Sequence, residues 1–187
     1  MPKLNSHPAG TEKLRELVLY ICAASDADAA FGSIKLNKLL FFCDFLCYLA
    51  YGSSITGQEY QKLENGPAPR IMYPLLADMQ SEKQLVIANR KYFGLNQKKP
   101  IAMRDADLTR FSGQEIALVD DVLQIFREHN TAKISDLSHQ FAGWKLAEEG
   151  ETIPYGAALL ETKPLSVQEQ QWAQELDLIG VEELLCA

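Results

Sequence analysis

The run Leu36 to Tyr51, LNKLLFFCDFLCYLAY, constrains this chain more than any other stretch, because a helix built from it is apolar on nearly every side. Such a helix must be enclosed, by protein or by lipid. At 1.5 Å per residue it reaches about 24 Å, short of the ~30 Å hydrocarbon core of a bilayer, and Lys38 and Asp44 interrupt it. The run therefore predicts the buried centre of a globular fold.

Other elements are placed around it by their local signals. Leu14, Leu17, Val18 and Ile21 form one apolar stripe and predict a helix from about Thr11 to Ser25 with a charged outer face. Asp26 to Gly32 is a connector, and Ser33 is the expected cap of the central helix. Gly52 is suited to the left-handed position that ends it. The stretch Asn65-Gly66-Pro67-Ala68-Pro69 predicts a turn, with Pro69 in the first turn of a helix carrying Ile71, Met72, Leu75, Leu76 and Met79. Pro74 predicts a bend or a late start there.

The period then changes. Leu85 to Ala88 and Lys91 to Leu95 read as the strands of a hairpin turning at Asn89-Arg90, and Ile101 to Met103 as a third strand. Ser112 and Glu115 form a capping box before a helix reaching about His129. A short helix from Ser135 to Phe141 follows, then a helical turn from Trp144 to Glu149 ended by Gly150. A second capping box at Ser166 and Glu169 opens a terminal helix with Trp172 and Leu176 on its apolar side. The predicted fold is mainly α with a small antiparallel β-hairpin or sheet (α+β), a compact helical domain around one buried central helix. Residues 1–10 are expected to be a flexible N-terminus. Residues 11–187 read as a single domain with an acidic helical extension over about 161–187.

The formal charge of -7 is unevenly distributed. From Lys83 to Arg104 there are six basic residues and no acid, whereas Glu148 to Ala187 holds nine acids against Lys163 alone. Two faces of opposite sign follow. The first residues lack the apolar core of a signal peptide, which predicts a cytoplasmic protein. Four cysteines without framework spacing are expected as reduced thiols, two of them, Cys43 and Cys47, packed inside the central helix.

Catalytic patterns are missing from the sequence. Cys43 and Cys47 share a helix face without the partners a metal needs, and an apolar setting raises either thiol and argues against a nucleophile pair with His139. Glu148, Glu149 and Glu151 read as a solvated charge run, and no P-loop, GxGxxG or GxSxG occurs. The expectation is a protein that is not an enzyme and needs neither cofactor nor metal. The helix ending near His129 and the next short helix outline a helix-turn-helix with the hairpin as a wing, and Lys91, Lys98 and Lys99 are its candidate nucleic-acid contacts. With only Lys133 and His139 near the second helix, DNA is not the expected partner.

In order and spacing, several segments together resemble the Panacea family, the domain of SocA-like antitoxins and phage-associated proteins. They are Lys35-Leu36-Asn37-Lys38-Leu39-Leu40, the stretch ending in Tyr51-Gly52, the Gly66-Pro67 turn leading to Ile71 and Tyr73, then Trp144-Lys145 and Ile153-Pro154-Tyr155. The resemblance spans roughly Leu14 to Leu160, with Asn65 standing where an aromatic residue would be expected before the Gly-Pro. It implies an antitoxin of a toxin–antitoxin system, which neutralises a toxin encoded by a neighbouring gene through direct protein contact. The alternatives are a protease adaptor for a toxin and a DNA-binding regulator of a phage or mobile element. The candidate partner-binding residues are Asn65, Gly66, Pro67, Trp144, Glu148, Glu149, Glu151 and Tyr155.

Overall fold

The computed structural model of the protein describes residues 8–160. Helix α1 (Pro8–Ala24) begins earlier than Thr11, within the stretch expected to be flexible. Its apolar stripe of Leu14, Leu17, Val18 and Ile21 is fully buried, as the spacing predicts. Its outer face is not simply solvated: Glu16 is buried beneath Arg104, which donates two hydrogen bonds to it at 2.6 and 2.8 Å. That pairing holds the Glu16 carboxyl below the usual carboxylate range.

Helix α2 (Ser33–Tyr51) is the centre of the fold. Leu36, Leu39, Leu40, Phe41, Cys43, Phe45 and Cys47 are buried, and further helices pack around them. Gly32, not Ser33, is the N-cap, and no side chain caps this end. Gly52 closes the other end at φ +76°, its N–H donating to Tyr48 O at 2.8 Å.

Two-residue strands β1 (Tyr60–Gln61) and β2 (Ala68–Pro69) follow. Pro69 therefore lies in a strand opposite Tyr60 rather than in a helix, and α3 (Met72–Ser81) starts three residues later. Pro74 is its third residue, where the missing N–H costs no helical bond. The long hairpin β3 (Leu85–Tyr92) and β4 (Leu95–Ala102) turns at Phe93-Gly94, not at Asn89-Arg90. Both turn residues have positive φ, +47° and +80°, the conformation that a two-residue turn needs to match the strand twist. Ile101 and Ala102 belong to β4, paired with Val86 and Leu85, so they form no third strand.

Helix α4 (Gly113–Phe126) opens with the complete Ser112–Glu115 capping box. Helix α5 (Thr131–His139) starts before Ser135, because the Asn130 side chain accepts from Lys133 N at 2.9 Å and fixes the helix start there. Helix α6 (Ala142–Leu146) precedes β5 (Thr152–Ile153), which pairs antiparallel with β1 to give a second sheet of order β2-β1-β5. Short 3-10 turns occupy Leu108–Arg110 and Tyr155–Leu159. The protein is thus mainly α, with two small antiparallel sheets among the described residues around a buried α2. The second capping box and the acidic extension over 161–187 lie outside the described residues. Among the described residues, no helix is long and apolar enough to cross a membrane.

Candidate partner interface

The lobe built on β1, β2 and β5 is tied to α2 by two polar side chains of the apolar run. Asp44 is fully buried, and its carboxylate accepts from Thr56 N at 2.7 Å, Thr56 Oγ1 at 2.5 Å and Tyr60 OH at 2.7 Å. Burial pushes this carboxyl up, while the three donors pull it back. Six residues earlier on the helix, the ammonium of Lys38 donates to Pro67 O at 3.0 Å, and burial lowers its pKa to about 7. Gly66, at φ +93°, lies so close that a Cβ there would approach Lys38 Cε to 2.6 Å and Ser138 Oγ to 2.7 Å. The buried Gly66-Pro67 segment is therefore a clamp on Lys38, and only Asn65 of that turn is exposed. Gly66 and Pro67, expected at a partner surface, are not available to one.

The pairing of β1 with β5 brings this turn beside the loop after α6. Tyr60 lies opposite Ile153 and Gln61 opposite Thr152. Lys62 N donates to Glu151 O and Gly150 N to Lys62 O, while Arg70 Nη2 reaches Gly150 O at 2.7 Å. Glu149 accepts from Glu64 N at 3.1 Å, and Glu151 from Glu148 N at 2.7 Å, so these two carboxylates shape the loop. Glu64 and Glu148 make no side-chain hydrogen bond or ion pair among the described residues, and both are exposed. Asn65, Glu64, Glu148, Glu149 and Glu151 thus form one solvent-facing, predominantly acidic surface. Trp144 lies at its edge, half-buried: its ring stacks on His139 at 4.0 Å, Lys62 Nζ lies 4.3 Å from its centroid, and Nε1 donates to Leu63 O at 3.4 Å. Tyr155 is half-buried too, its hydroxyl donating to Gln58 O at 2.7 Å and its ring stacked on Tyr48. Both aromatics are supports of the surface more than parts of it.

The model of the antitoxin SocA-like, Panacea domain family matches residues 36–145, more than half of the chain. The chain belongs to this family. No curated protein and no solved structure matches it. The matched Panacea region runs from α2 to α6, so it contains Lys38, Asp44, the Gly66-Pro67 clamp and Trp144, while β5 and Tyr155 lie beyond it.

The basic hairpin of this Panacea domain divides into two kinds of cation. Lys99 is 3% exposed: its ammonium donates to Asp26 O at 2.6 Å and anchors β4 to the connector after α1, so it cannot meet a phosphate. Arg104 is spent on Glu16. Arg90, Lys91 and Lys98 are exposed and have no ion pair among the described residues. On α5, Ile134 and Ser138 face inward, leaving Lys133 as the only cation of its outer face. Lys35 is buried as well, bonded to Asp28 at 2.7 Å and to His129 O at 2.6 Å, where it closes the end of α4. Cys22, Cys43 and Cys47 are buried thiols, and burial pushes them up, Cys22 to about 12 and Cys47 to about 11. Sequence reasoning missed Lys38 and Asp44 as organisers of the lobe. Their signal was present: two charges inside an otherwise apolar helix need buried partners.

Proposed function

We propose that this Panacea protein is an antitoxin that neutralises a toxin protein by direct, non-enzymatic contact through the acidic surface where the residue 62–67 turn meets the residue 147–152 loop. The observation that carries this reading is the β1–β5 pairing, which sets Glu64 and Glu148, carboxylates with no internal task among the described residues, beside Asn65 on one face. Family membership supports the antitoxin role, and a toxin with a basic working surface is the complementary partner. Sequestration suffices, with neither cofactor nor nucleic acid. Lys99, committed inside the fold, cannot contribute a phosphate contact.

The test is co-expression with the product of the neighbouring gene. The wild-type chain should rescue growth and co-purify with that product. Glu64→Lys with Glu148→Lys should weaken the complex by about tenfold, less at high salt, because exposed pairs contribute roughly 0.2–1 kcal/mol each and are screened. Cys43→Ser should leave rescue intact in any folded variant. A harmless neighbour, or a toxic one that neither binds nor is neutralised, removes the antitoxin reading.

A further inference from the structure

At the tip of the hairpin lies an apolar depression with a positive rim. Phe93 is 89% and Leu95 73% exposed at the tip of β3–β4, although Phe93 adopts a positive φ that a large side chain does not favour. With Ile34 and Tyr92 they line an open hollow of about 790 Å³ between the hairpin and the starts of α2 and α5. That volume lies within the roughly 300–1,000 Å³ of ordinary binding clefts.

Every charge feature of this hollow favours a negative occupant. Two helix N-termini, Ser33 of α2 and Thr131 of α5, line it, and neither helix has an acidic residue in its first turn. Lys98 lines it from the opposite strand face, and the register places Arg90, just outside the lining, on the same strand face as Tyr92 and Leu95. No acidic residue occurs from Lys83 to Arg104.

The chain itself contains a segment of complementary chemistry. Beyond Leu160, residues 166–187 carry Glu169, Glu175, Asp177, Glu182 and Glu183 and no lysine or arginine. Leu165, Trp172, Leu176 and Ile179 recur at intervals of seven, four and three. The 27 residues after Leu160 can span at most about 90 Å, more than twice the ~40 Å across a globule of this size, so the hollow is within reach. Attachment to the same chain raises the effective concentration toward the millimolar range, enough for a modest intrinsic affinity to be satisfied.

We infer that the acidic C-terminal segment, residues 165–187, docks in cis on the hairpin hollow, with its apolar residues against Tyr92, Phe93, Leu95 and Ile34 and its carboxylates toward Arg90, Lys98 and the two helix starts. This self-docking uses residues other than those of the proposed toxin surface. It shields the exposed aromatic tip and neutralises the exposed cations in the free protein.

Hydrogen exchange on the full-length chain tests it. Amides of residues 165–185 should exchange at least tenfold more slowly than an unstructured chain. Arg90→Glu with Lys98→Glu should abolish that protection, and adding Glu175→Lys with Glu182→Lys should restore part of it. Leu95→Ser, an exposed position whose change leaves the core untouched, should also reduce protection and provides a second route should the charge variant fold poorly. Exchange at the unprotected rate in the wild type overturns the inference, as does protection indifferent to both hairpin variants. Protection that disappears on dilution would assign the hollow to a second copy's segment and overturn docking in cis. A single-stranded DNA oligonucleotide bound equally by the wild type and by Glu175→Lys with Glu182→Lys would show the hairpin open to nucleic acid, with the same consequence.

Discussion

The two sheets of this protein are built in opposite ways. The hairpin has eight residues per strand and a two-residue turn, so an unbroken backbone ladder sets its shape and only its base is buried. The acidic lobe has strands of two residues each, drawn from positions about ninety apart in sequence, and its shape depends on buried side chains reaching out from α2. The hairpin is specified locally and can expose its tip. Asp44 and Lys38 anchor the lobe to α2, so the candidate partner surface depends on tertiary contacts more than the hairpin does.

The widest separation between the two sheets should come from Asp44→Ala. It leaves Thr56 N, Thr56 Oγ1 and Tyr60 OH without an acceptor in the core, a loss of about 3–5 kcal/mol from a total of roughly 5–15. Urea unfolding should show the lower midpoint, and exchange should rise first in the lobe while the β3–β4 amides remain the more protected. Equal loosening of both sheets would deny the lobe its special dependence on α2.

Lys38 provides a pH-dependent version of the same comparison. Its amine is lowered to about 7 in the folded protein and returns to the ordinary lysine range on unfolding, so between those values the unfolded chain binds more protons. Stability should therefore rise with pH above about 7, by at most about 1.4 kcal/mol per unit from this group. Below pH 7 the contribution is flat, because both states hold the proton. Lys38→Met should flatten the rise between pH 7 and 9 in denaturant titrations, and a rise that survives the substitution would remove Lys38 as its source.

The smallest effects come from two glycines in similar conformations. Gly66→Ala combines a left-handed φ with the approach to Lys38 and Ser138, and should cost about 2 kcal/mol or more. Gly94→Ala has the left-handed φ but open space around it, and should cost about 1 kcal/mol. Thermal unfolding of the pair would measure the difference, and equal losses would mean that the clamp around Lys38 gives way without cost.

Much of this was legible in the residues themselves, where short-range rules operate. The apolar Leu36–Tyr51 run, its Gly52 terminus and the Ser112–Glu115 box all behave as their local chemistry requires. The hairpin was legible as a hairpin, but its turn was not, because a bulky Phe93 at positive φ disguised the Gly94 signal. The α5 start was missed because Asn130, a good cap, stood outside the periodic stretch. On the acidic surface, Glu148, Glu149 and Glu151 were visible as a charge run, yet nothing in their spacing shows that two of them accept backbone N–H groups while Glu148 and the distant Glu64 have no side-chain partner among the described residues.

What the sequence determined by itself is therefore the enclosed α2, the helix boundaries marked by Ser112, Glu115 and Gly52, the presence of a basic hairpin, and the Panacea family. These follow from side-chain periodicity and capping, which act within a few residues. Only the tertiary structure decided which lysines are surface charges and which are internal struts, since Lys98 and Lys99 are neighbours in sequence and lie on opposite faces of one strand. It alone joined Tyr60 to Ile153, because a two-residue strand has no period to read and is stabilised by what it packs against.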